Sequence, residues 1–138
     1  MKPRFKCSDF FCRVFVEDTD FQGFVYYANY LKYFERARSQ FLIENNLSQV
    51  NAKTHGNELY VVKSVELTYC YPAILEDELI IKTEIELVSK ARTLFHQSVL
   101  NSKNDTLNCE GVVEVCYIDN HSGKPKTFPD NLLNLFKD

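Results

Sequence analysis

From residue 59 to residue 119 the chain alternates apolar and polar side chains with period two, in four successive segments. In "LYVVKSVELTY" (59–69) Leu59, Val61, Val65, Leu67 and Tyr69 fall on one face. In "ELIIKTEIELV" (78–88) Ile81, Ile85 and Leu87 do so, and Lys82, Glu84 and Glu86 point the other way. "TLFHQSVLNS" (93–102) and "NCEGVVEVCYID" (108–119) continue the pattern. Each alternation describes a strand with one dry face. The breaks "YPAILED", "SKAR" and "SKND" are short turn signals, so neighbouring strands pair antiparallel. A sheet with one apolar face needs something to lie on it.

One long element is available for that. From about Ala28 to Asn45 the pattern is helical, with Tyr27, Leu31, Phe34, Arg38, Phe41 and Leu42 recurring at steps of three or four and Tyr30 and Ala37 beside them. Lys32, Glu35, Arg36, Ser39 and Gln40 form the more polar side. Ahead of it, "FFCRVFV" (10–16) reads as a strand and 17–27 as a loop. Behind it, 44–58 ends the helix with room for one short helical turn, and "PDNLLNLFKD" starts a C-terminal helix at Pro129 or Asp130. The expected fold class is α+β, with an antiparallel sheet wrapped around one long central helix, the hotdog fold. The 138 residues suit a single domain, 1–138.

Charge and composition exclude several functions. The net charge is −3 and no basic stripe stands out, so no nucleic-acid partner is expected. No apolar run reaches membrane-spanning length, and no basic amphipathic helix marks a membrane surface, so no stable membrane insertion is expected. The start shows no signal peptide, which points to the cytoplasm. The five cysteines, Cys7, Cys12, Cys70, Cys109 and Cys116, lack any Cys-x-x-Cys and read as reduced thiols, mostly buried in strands. His55, His96 and His121 have no metal-ligand spacing, and no Gly-x-Ser-x-Gly occurs.

The stretch "EDTDFQGFVYYANYLKYFERAR" (17–38) is the least like ordinary core. Glu17, Asp18 and Asp20 crowd into the loop, Gly23 follows, and the helix starts between Tyr26 and Asn29. On pattern alone, acids before a helix are first read as caps and dipole partners. The same arrangement suits acyl transfer to water. Unpaired amides at a helix start polarise a carbonyl, and a carboxylate just ahead of them acts as base or nucleophile.

This stretch resembles the signature of hotdog acyl-CoA thioesterases of the 4-hydroxybenzoyl-CoA thioesterase type, and most of all the bacterial Tol-Pal-associated (YbgC-like) branch. The pattern is carried by Asp18-Thr19-Asp20, then Gly23-Phe24-Val25-Tyr26-Tyr27-Ala28-Asn29-Tyr30, then "YFERAR" (33–38). "VELTYCYPAILEDEL" (65–79) and "LFHQSVLN" (94–101) extend it, so that it runs from about Arg13 to Ile118.

The resemblance implies an acyl-CoA substrate, with acyl carrier protein as an alternative carrier, and no metal or redox cofactor. It implies that Asp20 is the nucleophile or general base and that the Tyr27 backbone amide polarises the thioester carbonyl. Gly23, read from its own chemistry, allows the backbone to turn tightly or the substrate to come close. It implies a homodimer with joined sheets and sites between subunits, or a homotetramer of such dimers. Position 27 departs from the Tol-Pal-associated branch, which usually carries His there; the departure touches acyl preference, because the backbone supplies the donor. Glu17 and Asp18 either raise the pKa of Asp20 or are loop charges, and Arg38 is expected in a buried or interface ion pair. Lys90 and Arg92, with Lys124 and Lys126 behind them, are candidates for the phosphates of CoA. The competing reading is a non-catalytic acyl-CoA or acyl-carrier-protein binding or scaffold protein.

Overall fold

The computed structural model describes residues 3–137. Its strands are β1 (Arg4–Lys6), β2 (Phe10–Arg13), β3 (Glu58–Tyr69), β4 (Glu78–Ser89), β5 (Arg92–Asn101) and β6 (Leu107–Asp119). Its helices are α1 (Asn29–Glu44), α2 (Gln49–Gly56) and α3 (Asp130–Leu133), the last followed by a 3-10 turn over Asn134–Phe136. The strands form one antiparallel sheet in the order β1-β4-β5-β6-β3, with β2 also on β4. Strand alternation and one covering helix thus produce the α+β hotdog arrangement that the pattern demands.

The N-terminal strand is longer and more broken than expected. β1 lies opposite Glu84–Glu86 and β2 opposite Glu78–Ile81, and the Cys7 amide donates to Thr83 O between them at 2.9 Å. The strand expected over 10–16 stops at Arg13. Its continuation is diverted because the Phe15 amide donates to the Asp18 carboxylate at 2.8 Å, which turns the chain into a 3-10 turn over Val16–Asp18.

The core lies between α1 and the inner faces of β4, β5 and β6. Leu79, Ile81, Ile85, Phe95, Val99, Cys109, Val113, Val115 and Tyr117 all point inward and are buried. From α1, Tyr30, Tyr33, Phe34, Ala37, Phe41 and Leu42 meet them. The expected stripe is therefore shifted by one position at its start: Tyr27 and Leu31 are exposed, and Tyr33 takes the inner place.

β3 carries the second difference. Its register on β6 slips between Val62 and Ser64, a β-bulge. Val65, Leu67 and Tyr69 lie opposite the inward Val113, Gly111 and the inward Cys109, as expected. On the other side of the bulge Tyr60 and Val62 lie opposite Tyr117 and Val115, so they face inward and Leu59 and Val61 face outward. One inserted residue flips every earlier side chain, which a period-two reading carries through without noticing.

A polar clasp ties helix to sheet. The Gln97 amide donates to Phe34 O at 3.1 Å and to the Thr83 hydroxyl at 3.0 Å, and its oxygen accepts from Arg38 at 3.0 Å. Within the chain, Arg38 therefore meets an uncharged amide and not the carboxylate of a buried ion pair. Burial lowers its pKa, against the opposing influence of Glu35. All five cysteines are free thiols, with Cys7 and Cys109 buried, Cys12 and Cys116 half-buried and Cys70 exposed. No helix among the described residues is long and apolar enough to cross a membrane.

Candidate active site

The loop between the first strand and α1 is folded by its own carboxylates. Asp18 turns inward and is buried, with its carboxylate on the Phe15 amide. Its backbone oxygen takes two donors, the Tyr26 amide at 2.9 Å and the Asn29 side-chain amide at 2.8 Å. Thr19 bridges Val25 antiparallel, and the Asp20 amide donates to Phe24 O at 2.8 Å. Within this small hairpin the Gly23 amide closes a four-residue turn on Asp20 O at 3.0 Å. Gly23 adopts φ +85°, a left-handed conformation that only glycine takes readily. Gly23 thus shapes the loop; it does not line the cavity described below.

Asp20 is held by one oxygen. Its Oδ1 accepts from the Gln22 amide at 2.9 Å and the Phe24 amide at 3.3 Å. Among the described residues nothing donates to its Oδ2. Glu17 is exposed, as one of its two readings had it. None of these acids caps α1: the helix's capping residue is Ala28, and no side chain bonds to that end. The capping explanation of the acid cluster fails for α1, and the acids serve the loop instead.

The helix start is correspondingly bare. The Asn29 amide donates to Tyr26 O at 2.8 Å and the Leu31 amide to Ala28 O at 3.2 Å. Among the described residues, no protein acceptor takes the Tyr27 or Ala28 amide. Two free N–H groups therefore stand at the positive end of the helix dipole.

A cavity of about 230 Å³ opens beside them, with Asp20, Phe24, Tyr27, Tyr30, Tyr69 and Cys70 in its wall. Its aromatic side is tightly built. The Tyr26 and Tyr27 rings lie 4.7 Å apart, Tyr69 meets Tyr27 edge-on at 6.1 Å, and Tyr30 and Tyr69 are 5.7 Å apart. The Tyr69 hydroxyl donates to Tyr27 O at 3.2 Å, and the Tyr30 hydroxyl accepts from the Ala73 amide at 3.2 Å. The hydrogen bond to Tyr27 raises the Tyr26 phenol, and burial raises that of Tyr30. Asn108 closes the far wall, its Nδ2 on Tyr71 O at 2.9 Å and its buried Oδ1 without a partner among the described residues. An apolar pocket with a few fixed polar atoms, a carboxylate oxygen and free amides can hold and polarise an acyl carbonyl.

Of the sequence candidates, Asp20 and Tyr27 come together here. Lys90 and Arg92 do not: they follow the Ser89 end of β4, whereas the cavity neighbours its Glu78 end, roughly 35 Å away at about 3.3 Å per strand residue. Arg92 is moreover paired with Glu114 at 3.0 Å. Lys126 is paired with Glu58 at 3.1 Å. His96 bonds Glu86 at 2.9 Å on the outer face. Among the described residues no group of three His, Cys, Asp or Glu gathers as metal ligands. Sequence reading did not single out Tyr69, Cys70, Tyr71 or Asn108 as lining residues. The "TYCYP" run at a strand end was their only local signal; Asn108 sits 37 residues beyond Tyr71 and gave none.

Comparison with known proteins decides the family. The model of the thioesterase-like superfamily matches residues 14–136, reaching beyond the expected span into the C-terminal helix. The chain belongs to this superfamily. Thioester hydrolysis as the reaction class follows from curated relatives at 36–38% identity, named acyl-CoA thioesterase or thioester hydrolase. Among its relatives within the family is the acyl-CoA thioesterase YbgC of Haemophilus influenzae, 36% identical over 124 residues that cover 90% of each chain. Another is the acyl-CoA thioester hydrolase YbgC of Escherichia coli, 37% identical over 91% of this chain and 92% of that one. A solved probable thioesterase from Bartonella henselae is 35% identical, with a TM-score of 0.79 over 88% of this chain and 98% of its own. The hotdog fold is shared more widely. A 1,4-dihydroxy-2-naphthoyl-CoA thioesterase from Synechocystis superposes with a TM-score of 0.89 over 96% and 95% of the two chains at 20% identity.

Proposed function

We propose that this protein is an acyl-CoA thioesterase in which Asp20 attacks, or activates water against, a carbonyl held by the Tyr27 amide. One observation carries the proposal: a carboxylate with an uncommitted oxygen and a residue with an unpaired backbone donor line the same aromatic cavity. The thioester oxygen takes the Tyr27 N–H, and the adjacent helix end favours the negative charge that develops on it. In one course Asp20 Oδ2 bonds to the carbonyl carbon, the C–S bond breaks, the CoA thiolate takes a proton, and water then cleaves the anhydride. In the other, Asp20 takes a proton from water as that water bonds to the carbonyl carbon, the C–S bond breaks, and the proton passes on to the CoA thiolate. The relatives named acyl-CoA thioesterases support CoA as the thiol carrier; acyl carrier protein is the alternative.

A second copy belongs to this reading. β3 ends the sheet, and its outer edge is unpaired among the described residues. Val62, Val65 and Tyr69 on it are well exposed for inward-facing residues. A homodimer joined antiparallel through β3, or a homotetramer of such dimers, covers them. It also brings the far end of the partner alongside the cavity, which is how Lys90 of the partner subunit would reach CoA phosphates. Free thiols throughout fit a reducing, cytoplasmic setting.

Thiol release from acetyl-, medium-chain, palmitoyl- and benzoyl-CoA tests the proposal, with the protein's own cysteines subtracted. Asp20→Asn, folded as wild type, should turn over about 10²- to 10⁴-fold more slowly. Equal turnover in both proteins removes Asp20 from the mechanism. Tight acyl-CoA binding with no turnover, on CoA or on carrier protein, establishes the binding-protein reading instead.

A further inference from the structure

Resting on the reading above, we propose that Asn29 and Tyr69 are positioning residues, holding the Tyr27 amide from its two sides. Tyr27 is joined to the chain by two peptide planes, and each is fixed by a separate contact. In the first, Tyr26 O accepts the Asn29 amide at 2.8 Å and so points forward along the helix. In a trans peptide the N–H points opposite to the carbonyl, so the Tyr27 N–H points back off the helix end. That plane is anchored to the loop through one atom. Asp18 O accepts the Tyr26 amide at 2.9 Å and the Asn29 side-chain amide at 2.8 Å, gripping the residues on either side of Tyr27 and Ala28. Asp18 lies two residues before Asp20, so the same carbonyl ties the donor to the strand of loop that carries the carboxylate.

The second plane would otherwise be loose. Tyr27 O receives no backbone donor outside the helix, and Tyr69, from the end of β3, supplies its hydroxyl at 3.2 Å. The sheet thus holds one side of Tyr27 and the loop holds the other. Asn29 is not in the cavity wall, so its contribution is positional alone. Tyr69 is in the wall, but its hydroxyl is committed to the backbone and its ring survives substitution by Phe.

The test compares steady-state kinetics of wild type, Asn29→Ala and Tyr69→Phe, with thermal melting of each. A donor displaced by a fraction of an ångström weakens the transition state more than the bound substrate. The expected result is a fall in kcat of about tenfold to a hundredfold in each variant, with KM within about twofold and melting nearly unchanged. Because both residues fix one amide, the double variant should lose less than the product of the two single effects. Unchanged kcat in either variant overturns the role of that residue. A kcat loss that merely follows the folded fraction makes it structural and overturns the proposal too. The reading it rests on fails separately: there, wild type itself releases no thiol, or Asp20→Asn is as active as wild type.

Discussion

Asp18 and Asp20 are two residues apart, carry the same side chain, and end in different environments. Asp18 is buried and spends its carboxylate on the Phe15 amide; Asp20 is half-buried in the cavity wall with one oxygen uncommitted. Nothing in their identities separates them. The separation comes from the backbone between them: Asp18 ends the 3-10 turn over Val16–Asp18, where its carboxylate folds back on the Phe15 amide, and Asp20 lies in the hairpin closed by the Thr19–Val25 bridge. Composition is equally silent about the cysteines, which the fold sorts. Burial pushes the Cys7 and Cys109 thiols up to about 12 and Cys12 to about 11, which suppresses the reactive thiolate. Cys70 is exposed and stands in the cavity wall. We expect a maleimide to label one thiol of the folded protein rapidly, that phase to vanish in Cys70→Ser, and the labelled wild type to lose thioester turnover. Uniform labelling of the thiols, or full turnover after labelling, would contradict this placement.

The strands were largely legible because period two is a local property. β4, β5 and β6 run within a residue or so of where alternation places them. β3 was legible in extent but not in facing, since the bulge after Val62 is set by its pairing with β6. α1 was legible to within a residue at each end, and its inward stripe was misjudged at the start because Tyr27 belongs to the cavity rather than the core. Gly111 shows what local reading omits. It lies opposite Leu67 where β6, β3 and the Phe34 ring of α1 converge, and a Cβ there would strike the Leu67 side chain and come within 2.7 Å of Glu66 O. The Leu67 side chain can rotate aside, but the Glu66 carbonyl belongs to a strand bonded along its length to β6 and does not move freely. Gly111→Ala should destabilise the fold by about 1–3 kcal/mol, read as a lower denaturation midpoint in urea with an unchanged slope. No change in midpoint would show that β3 yields there more easily than its pairing indicates.

Among the described residues much of the exposed apolar surface lies around the loop and cavity and along β3, with Phe11, Ile43 and Val50 exposed elsewhere. Phe15, Val16, Phe21, Tyr26, Tyr27 and Tyr71 are exposed around the loop and cavity, and Val62 and Val65 along the free side of β3. A long apolar edge strand pairs with another strand unless something blocks it. Wild type should therefore run as a dimer or tetramer in light scattering, and Val65→Lys should shift it toward monomer with a loss of turnover. A Val65→Lys protein that stays assembled would move the interface away from β3.

Sequence by itself determined the long elements, their antiparallel pairing, the single covering helix and the loop that holds the acids, because periodicity, turn residues and helix ends are written in neighbouring positions. Tertiary structure alone decided which acid is buried, which way the first half of β3 faces, and that Tyr69 and Asn108, from separate strands, stand with Asp20 in one wall. Those outcomes depend on contacts between residues far apart in the chain. A bulge or a close approach at one of them changes the result without changing any local pattern.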